Sequence, residues 1–111
     1  MRAYLRVILF GEVSHDDVTE TAAKSFGTEP DNPFTLLADE WEIEIGTTVD
    51  LVEEGTESSS LLEGSTFYLD CWPEEALAWS EVARGMSSVA AAFEEEGVGT
   101  TALVKFKEEA Q

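Results

Sequence analysis

The residues of this chain best suited to chemistry are its only cysteine, Cys71, and its only histidine, His15. A helix N-terminus lowers a thiol's pKa, and a neighbouring imidazole can take its proton, so such a pair suits nucleophilic catalysis. Each is expected to stand at the C-terminal edge of a sheet, after a strand and near the start of a helix. Two features weigh against the pair. Asp16, Asp17 and Asp70 crowd that edge and oppose a thiolate. Cys71 also shares strand parity with Phe67 and Leu69, which makes it a core residue. We therefore expect Cys71 to be structural, with a small enzyme using Cys71 and His15 as the alternative. His15 with Asp16 and Asp70 is a weak metal set, and no metal or cofactor is expected.

Other catalytic patterns are missing from the sequence. A lone cysteine excludes an intrachain disulfide and any CxxC motif. There is no glycine-rich phosphate loop, no G-x-S-x-G elbow and no D-x-[DN]-x-[DN]-G calcium loop. The paired acids Glu53/Glu54 and Glu74/Glu75 read as solvated surface rather than as acid–base catalysts.

Charge is the loudest bulk signal. The chain has 111 residues, with 24 acidic against 6 basic side chains and a formal net charge of -18. Such self-repulsion opposes the compact state at low ionic strength. In molar salt the screening length falls to about 3 Å and the repulsion is largely removed. The 43% hydrophobic content argues against a disordered acidic tail. The acids are spread along the chain, and 18 Glu stand against 3 Lys. This composition resembles that of proteins from salt-in halophiles, so a halophilic, acidic, cytoplasmic protein is expected. The apolar run Leu5–Phe10 is too short for a signal peptide, and no stretch approaches the roughly 18 apolar residues of a membrane span.

The elements that would position these groups can be read in order. Tyr4–Phe10 is a β-branched apolar run that predicts a central strand. Ser14 is an N-cap for a helix with Val18, Ala22 and Phe26 on one stripe, ended by Gly27. Thr28–Pro33 is a turn-rich loop, and Phe34–Asp39 reads as a helical turn. Trp41–Glu53 alternates apolar and polar residues and reads as a strand broken or bent near Gly46, either one long bent strand or two. Glu54–Gly64 is a loop under which Leu61 and Leu62 tuck. Ser65–Trp72 predicts the second central strand. Pro73 then opens a long helix with Trp79, Val82, Met86, Val89 and Phe93 at steps of three and four. Gly85 interrupts it, forming a smooth strip with Ser88 and Ala92. Thr100–Lys107 is the last strand, before a polar, frayed end.

The order β-α-β-β-α-β resembles the ferredoxin-like arrangement, a four-stranded antiparallel sheet with two helices on one face. The expectation is one α+β domain over residues 1–111, with the first and third strands as central, parallel neighbours. The alternative is another α+β sandwich in which the acidic strand pairs differently. If Leu5, Val7 and Leu9 face the helices, an open face collects Tyr4, Arg6, Phe10, Tyr68, Asp70, Trp72, Lys105 and Lys107. Ile8, Leu103, Glu42 and Glu44 join it. An apolar face of that size calls for a cover. The expected cover is a second copy, a homodimer with sheets stacked face to face or edge to edge. Arg6, Lys105 and Lys107 would then pair with Asp70, Glu42 and Glu44. A small-molecule ligand or a protein partner is the next reading. Single-stranded nucleic acid on Tyr4, Tyr68 and Phe10 is disfavoured, because the strands lack the Lys/Arg-Gly-Phe pattern of RNA-recognition domains. The sequence names no reaction. Its best reading is a non-catalytic, homo-oligomeric module.

Overall fold

β1 (Arg2–Phe10) and β4 (Ser65–Pro73) form the centre of the sheet, as their apolar content requires. They lie within a computed structural model that describes residues 2–30, 32, 34–38, 40–55, 57–74 and 79–107. The remaining elements are α1 (His15–Phe26), β2 (Thr35–Leu37), β3 (Trp41–Thr47), α2 (Thr48–Glu54), α3 (Trp79–Glu95) and β5 (Gly99–Lys107). Among the described residues the architecture is α+β, with a five-stranded antiparallel sheet in the order β2-β3-β4-β1-β5 and three helices. No helix among the described residues is long and apolar enough to cross a membrane.

The central strands run antiparallel, which corrects the expected parallel pairing. Leu5 lies opposite Cys71 and Leu9 opposite Phe67. The parallel relations belong to strands one place further apart: β1 and β3 flank β4, and β4 and β5 flank β1. Each long crossover therefore skips a strand. The C-terminal end of β1 meets the N-terminal end of β4, and this separates the groups that follow the two strands.

Local chemistry accounts for the helix ends. The Asp17 N–H donates to Ser14 Oγ at 3.1 Å, and Gly27 adopts φ 69° while the Thr28 N–H donates to the Ala23 carbonyl at 2.9 Å. Val18, Ala22, Val89 and Phe93 are fully buried against Leu5, Val7, Leu9, Ile43, Ile45 and Leu69. Burying each large apolar side chain contributes about 1.5–3 kcal/mol. α1 and α3 thus cover one face of the sheet.

Three expectations change. Thr35–Leu37 is an edge strand, with Leu36 opposite Ile43, and not a helical turn. Trp41–Glu53 is neither one bent strand nor two: β3 stops at Thr47 and α2 follows. Thr48 and Leu51, three apart, are buried, while Val49 is 62% exposed. The same residues alternate like a strand in sequence, yet burial takes the helical spacing. Pro73 ends β4 opposite Trp41 rather than opening α3, and the Glu74 N–H donates to the Glu40 carbonyl at 2.9 Å. Pro33, Asp39, Glu75 and the residues after Lys107 lie outside the described residues, as does the Trp79 side chain.

α2 changes the character of the second sheet face. It packs there, not beside α1 and α3. Leu51 and Leu62 are buried against Ile8, with Phe10, Tyr68 and Leu103 around them. Leu62 tucks in as expected. The face read as open is therefore roofed at the end that holds Ile8 and Phe10.

Candidate functional site

Strand parity sets out the face. Arg6 lies opposite Asp70 on one side and Leu103 on the other, Tyr4 opposite Lys105, Ile8 opposite Tyr68, and Glu42 opposite Trp72. Tyr4, Arg6, Phe10, Tyr68, Asp70, Trp72, Lys105 and Lys107 share this side, because alternate residues of neighbouring antiparallel strands point the same way.

At its centre Arg6 and Asp70 are both buried, each 5% exposed. The guanidinium grips the carboxylate with two bonds, Nε to Oδ1 at 2.8 Å and Nη2 to Oδ2 at 2.9 Å. Nη1 donates to Glu57 Oε1 at 3.2 Å, and Nη2 to the Tyr4 hydroxyl at 3.4 Å. Lys105 Nζ pairs with the same Glu57 oxygen. The Tyr4 and Tyr68 rings lie 5.6 and 5.3 Å from the guanidinium carbon. Tyr4 stacks on Trp72 at 4.0 Å, and Lys107 Nζ stands 5.9 Å from the Trp72 ring centre. Two cations thus meet two carboxylates inside one chain.

The electrostatics follow from this geometry. Burial works against the charge on Arg6, but the Asp70 hydrogen bonds and charge outweigh it and hold its pKa above the ordinary value. Burial also raises the Tyr4 and Tyr68 hydroxyls. Arg6 and Lys105 find carboxylates within the chain, Arg6 at Asp70 and Glu57 and Lys105 at Glu57. Sequence reasoning missed Glu57: no spacing marks a glutamate in a serine-rich loop as the partner of an arginine 51 positions away.

Glu44 lies opposite Asp70 with Glu42 two residues off. Burial, then the charges of Asp70 and Glu42, raise its pKa. A raised carboxyl pKa means that the folded chain binds the proton more tightly than the unfolded one. Stability from this group is then greatest when it is protonated and falls as pH rises through its folded pKa. Glu44→Gln is expected to raise the unfolding midpoint at neutral pH and the lowest KCl concentration at which the chain is folded. The gain should shrink at acidic pH and in molar salt, which urea titrations under the three conditions would read.

Cys71 and His15 do not meet. Cys71 is fully buried on the helix face, opposite Leu5 and Ile43. Burial, then the charge of Asp70, pushes its thiol pKa upward. The His15 ring sits at the other end of β4, 5.8 Å from Phe67 and 5.5 Å from Phe34. Phe67 and Cys71 are four positions apart along the strand, about 13 Å. No group of three His, Cys, Asp or Glu suited to a metal occurs among the described residues.

Behind the sheet, a groove of about 580 Å³ runs between the end of α1, the first turns of α3 and the β2–β3 turn. Phe26 and Trp41 pack there at 5.9 Å, and Glu81, Arg84 and Gly85 form its α3 wall. The Gly85 and Ser88 strip lies along this groove. A Cβ on Gly85 would meet Trp41 at 3.5 Å, an ordinary contact.

No protein family, curated protein or solved structure matches this chain.

Proposed function

We propose that this chain is a non-catalytic, self-associating module of ferredoxin-like topology, acting in a salt-rich cytoplasm and engaging a small ligand or protein partner through its sheet. The observation that carries the reading is the state of the sheet face. Its central charges, Arg6, Asp70, Glu57 and Lys105, are held by one another, which leaves the face a rim for contact at Tyr4, Lys107 and Glu42.

The topology supports the ferredoxin-like part. With β2 and α2 set aside, the order is β1-α1-β3-β4-α3-β5 and the sheet neighbours are β3-β4-β1-β5. Each βαβ unit then has a strand of the other between its own two, the split arrangement of that fold. The salt-rich setting rests on the net charge of -18. Dialysis from molar KCl to low salt is expected to abolish the far-ultraviolet helical signal. A fully folded chain without salt or divalent cations contradicts that part.

The small-enzyme alternative needs an accessible thiol. Alkylation of folded protein at neutral pH is expected to leave Cys71 unmodified, with full modification only after unfolding. Rapid labelling of the folded chain would revive the alternative.

A further inference from the structure

We infer that two copies of this chain join along the free edge of β5, antiparallel, about a two-fold axis passing Leu103, and fuse their sheets. The inference rests on the self-association proposed above and names its site.

The backbone comes first. Among the described residues β5 pairs with β1 alone, through nine consecutive pairs from Arg2↔Lys107 to Phe10↔Gly99. Its outer side therefore offers backbone N–H and C=O groups along a nine-residue strand. Long edges of this kind are normally blunted by proline, bulges, short length or charged side chains, lysine above all. β5 has no proline, its register with β1 is unbroken, and its two lysines are engaged on the other face, Lys105 by Glu57 and Lys107 over the Trp72 ring. The opposite edge follows the rule, since β2 has only three residues.

The side chains come second. Ala102, Val104 and Phe106 project on the helix-covered face, yet α1 and α3 leave Val104 44% and Phe106 62% exposed. They form an apolar stripe along the free edge.

Charge selects the partner. The 24 acids are absent from residues 1–11 and 97–107, which hold β1 and β5. These two adjacent strands carry Arg2, Arg6, Lys105 and Lys107, four of the six basic residues. A second copy brings the same charge of -18 and is repelled by most of the surface. At this edge it meets none of the strand-borne acids.

The strand is also self-complementary. Centring the two-fold on Leu103 overlaps all nine residues. Val104 then faces the partner's Ala102, Phe106 the partner's Thr100, and Lys105 the partner's Thr101. No lysine faces a lysine, and the two apolar stripes become one. A two-fold axis perpendicular to the sheet keeps both sets of helices on the same side.

Two variants test this in molar KCl. Leu103→Cys sets each new thiol opposite its own copy, at a Cα separation of about 4.5–5.5 Å, within disulfide range. Mild oxidation is expected to link most chains covalently, while Val49→Cys on the exposed side of α2 gives no such product. Val104→Glu/Phe106→Glu alters two exposed positions and leaves the monomer core intact. It is expected to weaken the dimer at least about tenfold by burying unpaired charge, with an unchanged circular dichroism spectrum. A wild-type chain that is monomeric at every salt concentration overturns the self-association reading, and this inference with it. A wild-type dimer that survives Val104→Glu/Phe106→Glu and gives no Leu103→Cys cross-link overturns this inference alone. A monomer whose β5 edge takes up a strand of a different protein overturns both.

Discussion

Replacing Asp70 with alanine is expected to destabilise the fold by about 3–5 kcal/mol, the cost of leaving a buried charge without its partner. The magnitude follows from Arg6. Its guanidinium cannot shed its proton to escape burial, and Asp70 supplies both of its shortest bonds, at 2.8 and 2.9 Å. Glu57 remains, but it is shared with Lys105. Against a total stability of about 5–15 kcal/mol, such a loss leaves the variant marginal. Removing both charges is a different experiment. Arg6→Met/Asp70→Leu is expected to fall close to the wild type or above it, because buried ion pairs seldom outperform well-packed apolar residues. Urea unfolding in molar KCl measures both. A loss below about 1 kcal/mol for Asp70→Ala would mean that water reaches the pair, and the view of the face as closed would fall.

The second large effect is at Gly46. A Cβ there would lie 2.6 Å from the Cε1, Cζ and Oη atoms of Tyr68, its cross-strand neighbour. Gly46 is not in the left-handed region, so the constraint is space and not backbone. For alanine to fit, the Tyr68 ring must leave its place beside Arg6 and its packing around Ile8 and Leu62. Gly46→Ala is expected to cost about 1–3 kcal/mol, the usual range for overpacking. The cost should nearly vanish in a Tyr68→Ala background, where the obstacle is gone. A double-mutant cycle reads that coupling directly. Equal costs in both backgrounds would place the loss elsewhere.

These two sites mark how far the sequence could be read. The alternation of Leu5, Val7 and Leu9 against Tyr4, Arg6 and Ile8 assigns the sheet faces correctly, because side-chain period in a strand is a local property. The Ser14 cap and the spacing of Val89 and Phe93 locate α1 and α3 for the same reason. Val49 and Leu51 mislead, since a short apolar run fits both periods and only packing on Ile8 decides between them. Strand direction is not local either. Whether β1 and β4 run together or opposed depends on how the crossovers interleave, and the notion of a Cys71–His15 pair depended on that direction. Of the central cluster, Arg6 and Asp70 were legible as residues of one face. Their bond was expected across a dimer, and Glu57, arriving from a distant loop, was not visible at all.

The corrected face also moves the question of association. On the sheet surface roofed by α2 and Leu62, Ile8 and Trp72 are buried, whereas Val104 and Phe106 at the β5 edge remain exposed. At physiological salt the screening length is about 8 Å, and in molar salt about 3 Å. Two chains of charge -18 can then approach within contact distance. Salt in this account does two things: it permits the fold, and it permits the dimer.

The most direct test of the central claim, a self-associating module whose assembly depends on salt, is the light-scattering mass of the wild-type chain across a KCl series. The account predicts twice the chain mass of 12.2 kDa in molar KCl, falling to a single chain as salt is removed. A folded chain that stays at 12.2 kDa in molar KCl contradicts it.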